Sequence, residues 1–229
     1  MKKIIALLLA LVLTFGLVAC GGTEDVRGNI DSGNNTATEN KSQNATEGSK
    51  EKDFSTGKVT TNKYTNEFLG ITVELGSDWT FMTDAQIEEN NKTALGLVGD
   101  DYKALMENAS SFTDMMATKS NQTDTVNVTF EKLTGANLLL TEDRYAELSL
   151  DTLKGSFESM GMTDVVVANG KDTFAGAEHA CITLSAKYNG NAVYEKLIVV
   201  KCSGYMVTVC ACTWQTDTCK SILDNFKAL

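Results

Sequence analysis

The chain has 229 residues, of which 42% are hydrophobic and 22% are charged, and its formal net charge is −10. The 20 basic residues against 30 acidic ones argue against a nucleic-acid partner and against electrostatic attachment to an anionic leaflet, since both need clustered Lys and Arg. The acidic residues stand in short groups that lack the ligand spacing of a calcium loop, so we interpret them as a solvated surface.

The first feature along the chain is a short, mainly apolar run that follows two lysines. Lys2 and Lys3 precede residues 4–18, and the run ends at Leu17-Val18-Ala19-Cys20. This order of charge, apolar core and small residues before a cysteine resembles a bacterial lipoprotein signal peptide with its lipobox. The resemblance implies that the chain is cut before Cys20 and that Cys20 is lipidated. An uncleaved N-terminal helix and a plain secretory signal are the alternatives.

A lipid on Cys20 implies a position on the outer face of the cell membrane. Two or three acyl chains, such as palmitate, make a durable anchor because each buried methylene adds about 0.8 kcal/mol. Loss of Lys2 and Lys3 with the signal would leave 18 basic residues against 30 acidic ones, a charge of −12. The lipid rather than charge must therefore attach the protein to the membrane.

The sequence predicts a tether and then one folded domain. Residues 20–57 are mostly Gly, Ser, Thr, Asn, Glu and Lys, which is too polar a composition to offset the chain entropy of folding. We predict that this segment is disordered, with a reach of about 30–35 Å. Residues 58–229 are then a single domain, after the signal peptide at 1–19 and the tether at 20–57.

The first half of the domain predicts a strand, a helical region and a hairpin. The strand includes Phe68, Ile71, Val73 and Leu75 and ends at a turn before Trp79. Thr83-Asp84 is typical of a helix start, and one or two short helices are predicted over Asp84–Lys92 and around Tyr102, Leu105 and Met106. Residues 112–116 and 125–130 predict a hairpin that is closed by the polar loop 120–124.

A longer helix is predicted to begin at Thr141, which is a good N-cap, with Glu142 and Asp143 in the first turn. Its apolar positions recur at helical spacing, and Gly161 ends it; they are Ala146, Leu150, Leu153, Phe157 and Met160. We interpret this stripe as a packing face rather than a cofactor site.

The last third predicts antiparallel strands and a closing helix. Strands are expected at residues 165–167, 178–188, 192–202 and 205–214, with tight turns at Asn189-Gly190 and Ser203-Gly204. A terminal helix from about Thr216 would carry Cys219, Ile222, Leu223 and Phe226 on one side. The predicted fold class is α+β, a single α/β/α sandwich with a central, mainly antiparallel sheet.

Several short segments, in this order, resemble the PsbP/Mog1-like α/β/α sandwich, and in particular its lipid-anchored members in anaerobic gut Firmicutes. The segments are Phe68-Leu69-Gly70-Ile71, the turn into Trp79, the hairpin, Thr141-Glu142-Asp143-Arg144-Tyr145, Phe174-Ala175-Gly176-Ala177-Glu178-His179 and the closing helix with Phe226. Members of this fold include a photosystem II extrinsic subunit and a Ran-binding nuclear import factor. The resemblance implies a non-enzymatic, protein-contacting role.

Five cysteines and one histidine are the remaining candidates for chemistry: Cys181, Cys202, Cys210, Cys212, Cys219 and His179. Two-residue turns at 189–190 and 203–204 would place Cys181 and Cys202 on one face of the sheet and Cys210 and Cys212 on the other. That split disfavours a four-ligand zinc site.

The metal alternatives that remain are Cys210, Cys212 and Cys219 together, or Cys181 and Cys202 with His179, and Cys219 could join this second set as well. Small buried thiols without metal or redox work are the simpler interpretation. His179 is the only histidine, and the sequence offers it no nucleophile at a recognisable spacing.

We therefore expect no enzymatic activity and no cofactor. The leading hypothesis is a lipid-anchored, extracytoplasmic interaction module that contacts an envelope protein. The second is a lipoprotein that binds a small ligand or a metal and presents it at the membrane, which would require a concave pocket with converging polar groups.

Overall fold

The computed structural model describes residues 54–95 and 109–229. The predicted signal peptide, Cys20, most of the predicted tether and the predicted helical positions Tyr102, Leu105 and Met106 lie outside these residues. None of the helices in the described ranges is long and apolar enough to cross a membrane.

Two antiparallel sheets dominate the described residues. The smaller sheet has the order β1-β2-β3-β11, with β1 at Lys58–Thr60, β2 at Lys63–Asn66, β3 at Ile71–Glu74 and β11 at Phe226–Ala228. The larger sheet has the order β4-β5-β6-β10-β9-β8-β7. Its strands are β4 (Trp79–Phe81), β5 (Ser111–Lys119), β6 (Thr125–Lys132), β7 (Thr163–Phe174), β8 (Ala177–Tyr188), β9 (Asn191–Cys202) and β10 (Tyr205–Trp214).

The described residues also contain three α-helices and a 3-10 turn. They are α1 (Asp84–Leu95), α2 (Glu142–Ser159), α3 (Cys219–Leu223) and the turn Gly135–Leu139. The backbone N–H of Arg144 donates to Thr141 Oγ1 at 3.2 Å, so Thr141 is the N-cap of α2 as predicted. Gly161 follows the helix at φ +82°, a conformation that glycine adopts without strain.

The predicted hairpins of the larger sheet are confirmed. Asn189-Gly190 joins β8 to β9, and Ser203-Gly204 joins β9 to β10, with positive φ at all four residues. Two-residue turns of this kind match the right-handed twist of the flanking strands. They lie at opposite ends of the sheet, which we call the 189–190 end and the 203–204 end.

The prediction of a single α/β/α sandwich was wrong. The described residues form a mostly β structure, in which a second sheet takes the place of one helical layer. The smaller sheet packs on one face of the larger sheet, and Tyr64, Val73 and Phe226 of the smaller sheet share a core with Val128 and Val209 of the larger one. Helix α2 packs on the opposite face, where Ala146 and Leu153 lie against Ile182 and Val199. The larger sheet is therefore the middle of three layers.

The closing helix was also predicted too long. Helix α3 ends at Leu223, and Phe226 lies in β11, where it pairs with Val73 of β3. An isolated edge of β3 would leave unpaired backbone N–H and C=O groups, and pairing satisfies them. The apolar positions 222, 223 and 226 face the same core in either arrangement, so the apolar pattern alone does not separate them.

Candidate functional site

An aromatic pair, of which one ring is exposed and the other half-buried, lies at the 189–190 end of the larger sheet. Tyr188 is the last residue of β8 and Trp214 is the last residue of β10, and their ring centroids are 6.2 Å apart with the rings nearly perpendicular. The turn Asn189-Gly190 leaves Tyr188 37% exposed. Neither residue was singled out from the sequence as a site residue, although each is a large aromatic at the end of a predicted strand.

The indole of Trp214 has an unusual environment. Among the side-chain N and O atoms of the described residues, Trp214 Nε1 is the one that is buried without a hydrogen-bond partner. An unsatisfied buried donor costs about 1–3 kcal/mol, and structures seldom retain one without a reason. Tyr and Trp are also the residues most enriched at energetically dominant positions of protein interfaces.

His179 forms a pair with Glu142 at the first turn of α2. The Nδ1 atom of His179 lies 3.1 Å from both carboxylate oxygens of Glu142. The same carboxylate accepts the backbone N–H of Lys201 at 2.9 Å and that of Ala180 at 3.4 Å. Although partial burial opposes it, these donors lower the pKa of Glu142 below its ordinary value. The arrangement fastens the start of α2 to β8 and β9, so it positions secondary structure.

Cys181 and Cys202 occupy the face of the larger sheet that packs on the smaller sheet, as the predicted register requires. Cys181 pairs with Ile198, and Cys202 pairs with Tyr205. Cys202 is half-buried, and its Sγ lies 3.6 Å from the carbonyl oxygen of Phe68. Burial raises the pKa of the Cys181 thiol, which keeps it protonated and poorly nucleophilic.

Cys210 and Cys212 lie on the opposite face beside a buried carboxylate. Glu195 pairs with Cys212 across β9 and β10, and its Oε2 is 3.9 Å from Cys210 Sγ. Burial raises the pKa of Glu195 to about 7. Burial and the nearby Glu195 carboxylate together raise the pKa of both thiols well above the ordinary value. The sequence split of the cysteines is confirmed, but Glu195 was not predicted to join them.

Cys219 lies in the same core as Cys181, with Cys202 packed against it, on the face of the larger sheet that meets the smaller sheet. It is buried at the start of α3, and its Sγ lies 3.4 Å from both Thr213 Oγ1 and the carbonyl oxygen of Tyr194. Burial raises its pKa to about 12. Within residues 54–95 and 109–229, no three or more His, Cys, Asp or Glu side chains are placed to hold a metal ion. The five cysteines of these ranges form no disulfide with one another.

A carboxylate that the sequence analysis missed joins the two sheets. Asp114 lies at an irregularity between Thr113 and Met115 of β5 and accepts hydrogen bonds from groups outside the larger sheet. The donors are Tyr64 Oη at 2.5 Å, Asn66 Nδ2 at 2.9 Å and the backbone N–H of Gly57 at 2.9 Å. A Cβ atom at Gly57 would lie 2.2 Å from the Tyr64 ring, so this approach requires glycine. The only sequence signal was a lone acid within an apolar strand.

The sequence matches no family model and no curated protein. Among solved structures, the fold is similar to LpqN, described as involved in cell envelope biogenesis of Mycobacterium tuberculosis. The two share 16% sequence identity, the similarity covers 68% of this chain and 76% of LpqN, and the TM-score is 0.36.

Proposed function

We propose that the protein is a lipoprotein anchored on the outer face of the cell membrane and that its domain is a non-enzymatic module that binds an envelope protein. The observation that carries the proposal is the sequence Leu17-Val18-Ala19-Cys20 after two lysines and a short apolar run. Cys20 is the proposed site of lipidation, and the polar residues that follow it tether the domain.

The aromatic pair at the 189–190 end supports a contact surface for that partner. Tyr188 offers an exposed ring, and Trp214 offers a donor that has no acceptor in the described part of the chain. Amphipathic aromatic side chains of this kind give large contact areas for little loss of conformational entropy. The proposal places Tyr188 and Trp214 near the centre of the interface.

The experiment is site-specific photo-cross-linking in intact cells. A photoreactive phenylalanine analogue replaces Tyr188 in the full chain, and cross-linked proteins are recovered under denaturing conditions and identified by mass spectrometry. The matched control carries the same analogue at Leu148, which is 44% exposed on α2. We expect one envelope protein to be cross-linked from position 188 and not from position 148.

A second arm combines the analogue at position 188 with Cys20→Ser. The proposal predicts that the cross-linked product falls at least several-fold, because the unanchored domain no longer stays near the membrane. Recovery of the same abundant proteins from positions 188 and 148 would contradict the proposed contact surface. An undiminished product from the Cys20→Ser chain would contradict the role of the anchor.

A further inference from the structure

Exposed apolar side chains gather at the 203–204 end of the larger sheet. Seven large hydrophobic residues of the described ranges are exposed, and four of them belong to segments at this end. The four are Phe54, Leu138, Leu139 and Leu229, with exposures of 39%, 47%, 84% and 62%. Single exposed leucines are common on protein surfaces, but Leu138 and Leu139 are adjacent in one turn, and neighbouring exposed apolar side chains mark an interaction surface.

Specific contacts place these residues at the same end. The ring of Phe54 stacks on Tyr205, which directly follows the turn, at a centroid distance of 4.9 Å. The backbone N–H of Leu133 donates to the carbonyl oxygen of Gly204 at 2.8 Å, which brings in the segment that carries Leu138 and Leu139. The N–H of Leu229 donates to the carbonyl oxygen of Gly70 at 3.0 Å, and the adjoining Phe68 ring also contacts Tyr205.

The ammonium group of Lys201 holds the turn that carries Leu138 and Leu139. Lys201 Nζ donates to the carbonyl oxygens of Leu138 and Leu140, at 2.7 Å in both cases. Within the turn, the N–H of Leu140 also donates to the carbonyl oxygen of Asn137 at 3.0 Å. The leucines therefore project from a fixed turn, with the Lys201 ammonium beside their backbone.

The two acids in the first turn of α2 are paired. Glu142 is bonded to His179 and to the Lys201 backbone, and Asp143 lies 2.8 Å from Lys171 Nζ. Fixed apolar side chains with a lysine beside them suit the boundary between headgroups and acyl chains, where the apolar part is buried and the ammonium stays with the phosphates.

The described chain also begins at this end. Residues 1–53 precede Phe54, and Phe54 itself packs on Tyr205. A lipid on Cys20, which rests on the proposed function, would hold this end within reach of the bilayer and raise its effective concentration there. Weak insertion of a few side chains is then sufficient for docking, although the chain cut before Cys20 carries a net charge of −12.

We infer that the 203–204 end docks on the lipid bilayer, with Leu138 and Leu139 inserted at the headgroup boundary. Docking in this way directs the 189–190 end, with Tyr188 and Trp214, away from the membrane. Lipid is the proposed occupant of the apolar patch formed by Leu138 and Leu139. The test distinguishes lipid from a protein bound at the same place.

The test uses the full-length protein, purified from membranes and reconstituted in vesicles of phosphatidylethanolamine and phosphatidylglycerol with brominated acyl chains. Leu139→Trp reports on the patch, and Val166→Trp, at a position 61% exposed on β7, is the matched control. Quenching is measured on protein that floats with the vesicles, and the signal of the unmodified chain corrects for Trp79 and Trp214. We expect at least twofold stronger quenching and a blue-shifted emission at position 139 relative to position 166.

Equal quenching at positions 139 and 166 would overturn the inference. A blue shift at position 139 in native envelopes but not in vesicles would also overturn it, because the patch would then bind protein. Mass spectrometry of the N-terminal peptide from the same samples shows whether Cys20 is lipidated. A failure of bilayer docking is therefore distinguishable from a failure of the proposed function. A lipidated peptide with no selective quenching contradicts only bilayer docking, and selective quenching of a chain without lipid contradicts only the anchor.

Discussion

Replacement of Glu195 by Gln should change how the stability of the domain depends on pH. Burial raises the pKa of Glu195 from 4.5 to about 7, so the folded state binds this proton more tightly than the unfolded chain does. The stabilisation from the proton is complete below pH about 4.5 and is lost as the pH rises through about 7. The amide introduced by Glu195→Gln keeps the shape of the protonated acid and an oxygen that accepts from Cys212, and it does not titrate.

The size of the effect follows from the two pKa values. One pKa unit corresponds to about 1.4 kcal/mol, so ionisation of Glu195 costs the folded state roughly 3 kcal/mol at pH well above 7. Between pH 5 and pH 8.5, the free energy of unfolding of Glu195→Gln should rise relative to the unmodified protein by roughly 2–3 kcal/mol.

Urea denaturation, followed by tryptophan fluorescence at pH 5 and pH 8.5, measures this difference. Glu158→Gln, at an exposed position of α2, is the matched control and should follow the unmodified protein at both pH values. A Glu195→Gln protein whose stability differs from the unmodified protein by the same amount at both pH values would refute the reasoning, because Glu195 would then not titrate in this range.

Three further predictions concern the contacts that hold the layers together and the thiols. Asp114→Ala removes the acceptor of three hydrogen bonds and should lower the free energy of unfolding in urea at pH 7 by about 3 kcal/mol. Glu142→Gln should lower the free energy of unfolding by roughly 1 kcal/mol at pH 7. Since folding lowers the pKa of Glu142, the difference in free energy of unfolding should vanish as the pH falls through the folded-state pKa. Iodoacetamide at pH 8 should modify Cys202 first among the five described thiols, because the other four are buried, and peptide mass spectrometry would identify the modified site.

Each of these predictions has a result that would contradict it. Asp78→Ala, at an exposed ion pair with Lys119, should cost no more than about 0.5 kcal/mol, and an equally small loss for Asp114→Ala would refute the bridging role. A Glu142→Gln difference that is constant from pH 7 to pH 3 would contradict the depressed pKa. Modification of Cys210 as fast as Cys202 would show that the sheet face is open, and unfolding in urea should expose all five thiols.

Local signals in the sequence predicted α2 and the hairpins of the larger sheet. The N-cap Thr141 and the apolar stripe through Phe157 define the helix without reference to the rest of the chain. The turn pairs at 189–190 and 203–204 determine the register of β8, β9 and β10, and that register places each cysteine on the correct face. In each case the deciding residues are close together in the sequence.

Contacts between distant residues could not be predicted in the same way. The smaller sheet needs β11, at residues 226–228, to pair with β3, at residues 71–74. The Asp114 cluster joins residues that are 48 to 57 positions apart. Tyr188 and Trp214 meet only because β8 and β10 flank β9 and both strands end at the 189–190 end of the larger sheet. Apolar periodicity does not encode such pairings, so the second layer and the aromatic pair were found only in the structure.

The measurement that tests the central claim most directly is mass spectrometry of the N-terminal peptide of the protein extracted from membranes. The proposal predicts a peptide that begins at Cys20 and carries a diacylglycerol thioether, and a Cys20→Ser chain that no longer fractionates with membranes. An unmodified peptide that begins elsewhere, with Cys20→Ser protein still firmly on the membrane, would contradict it.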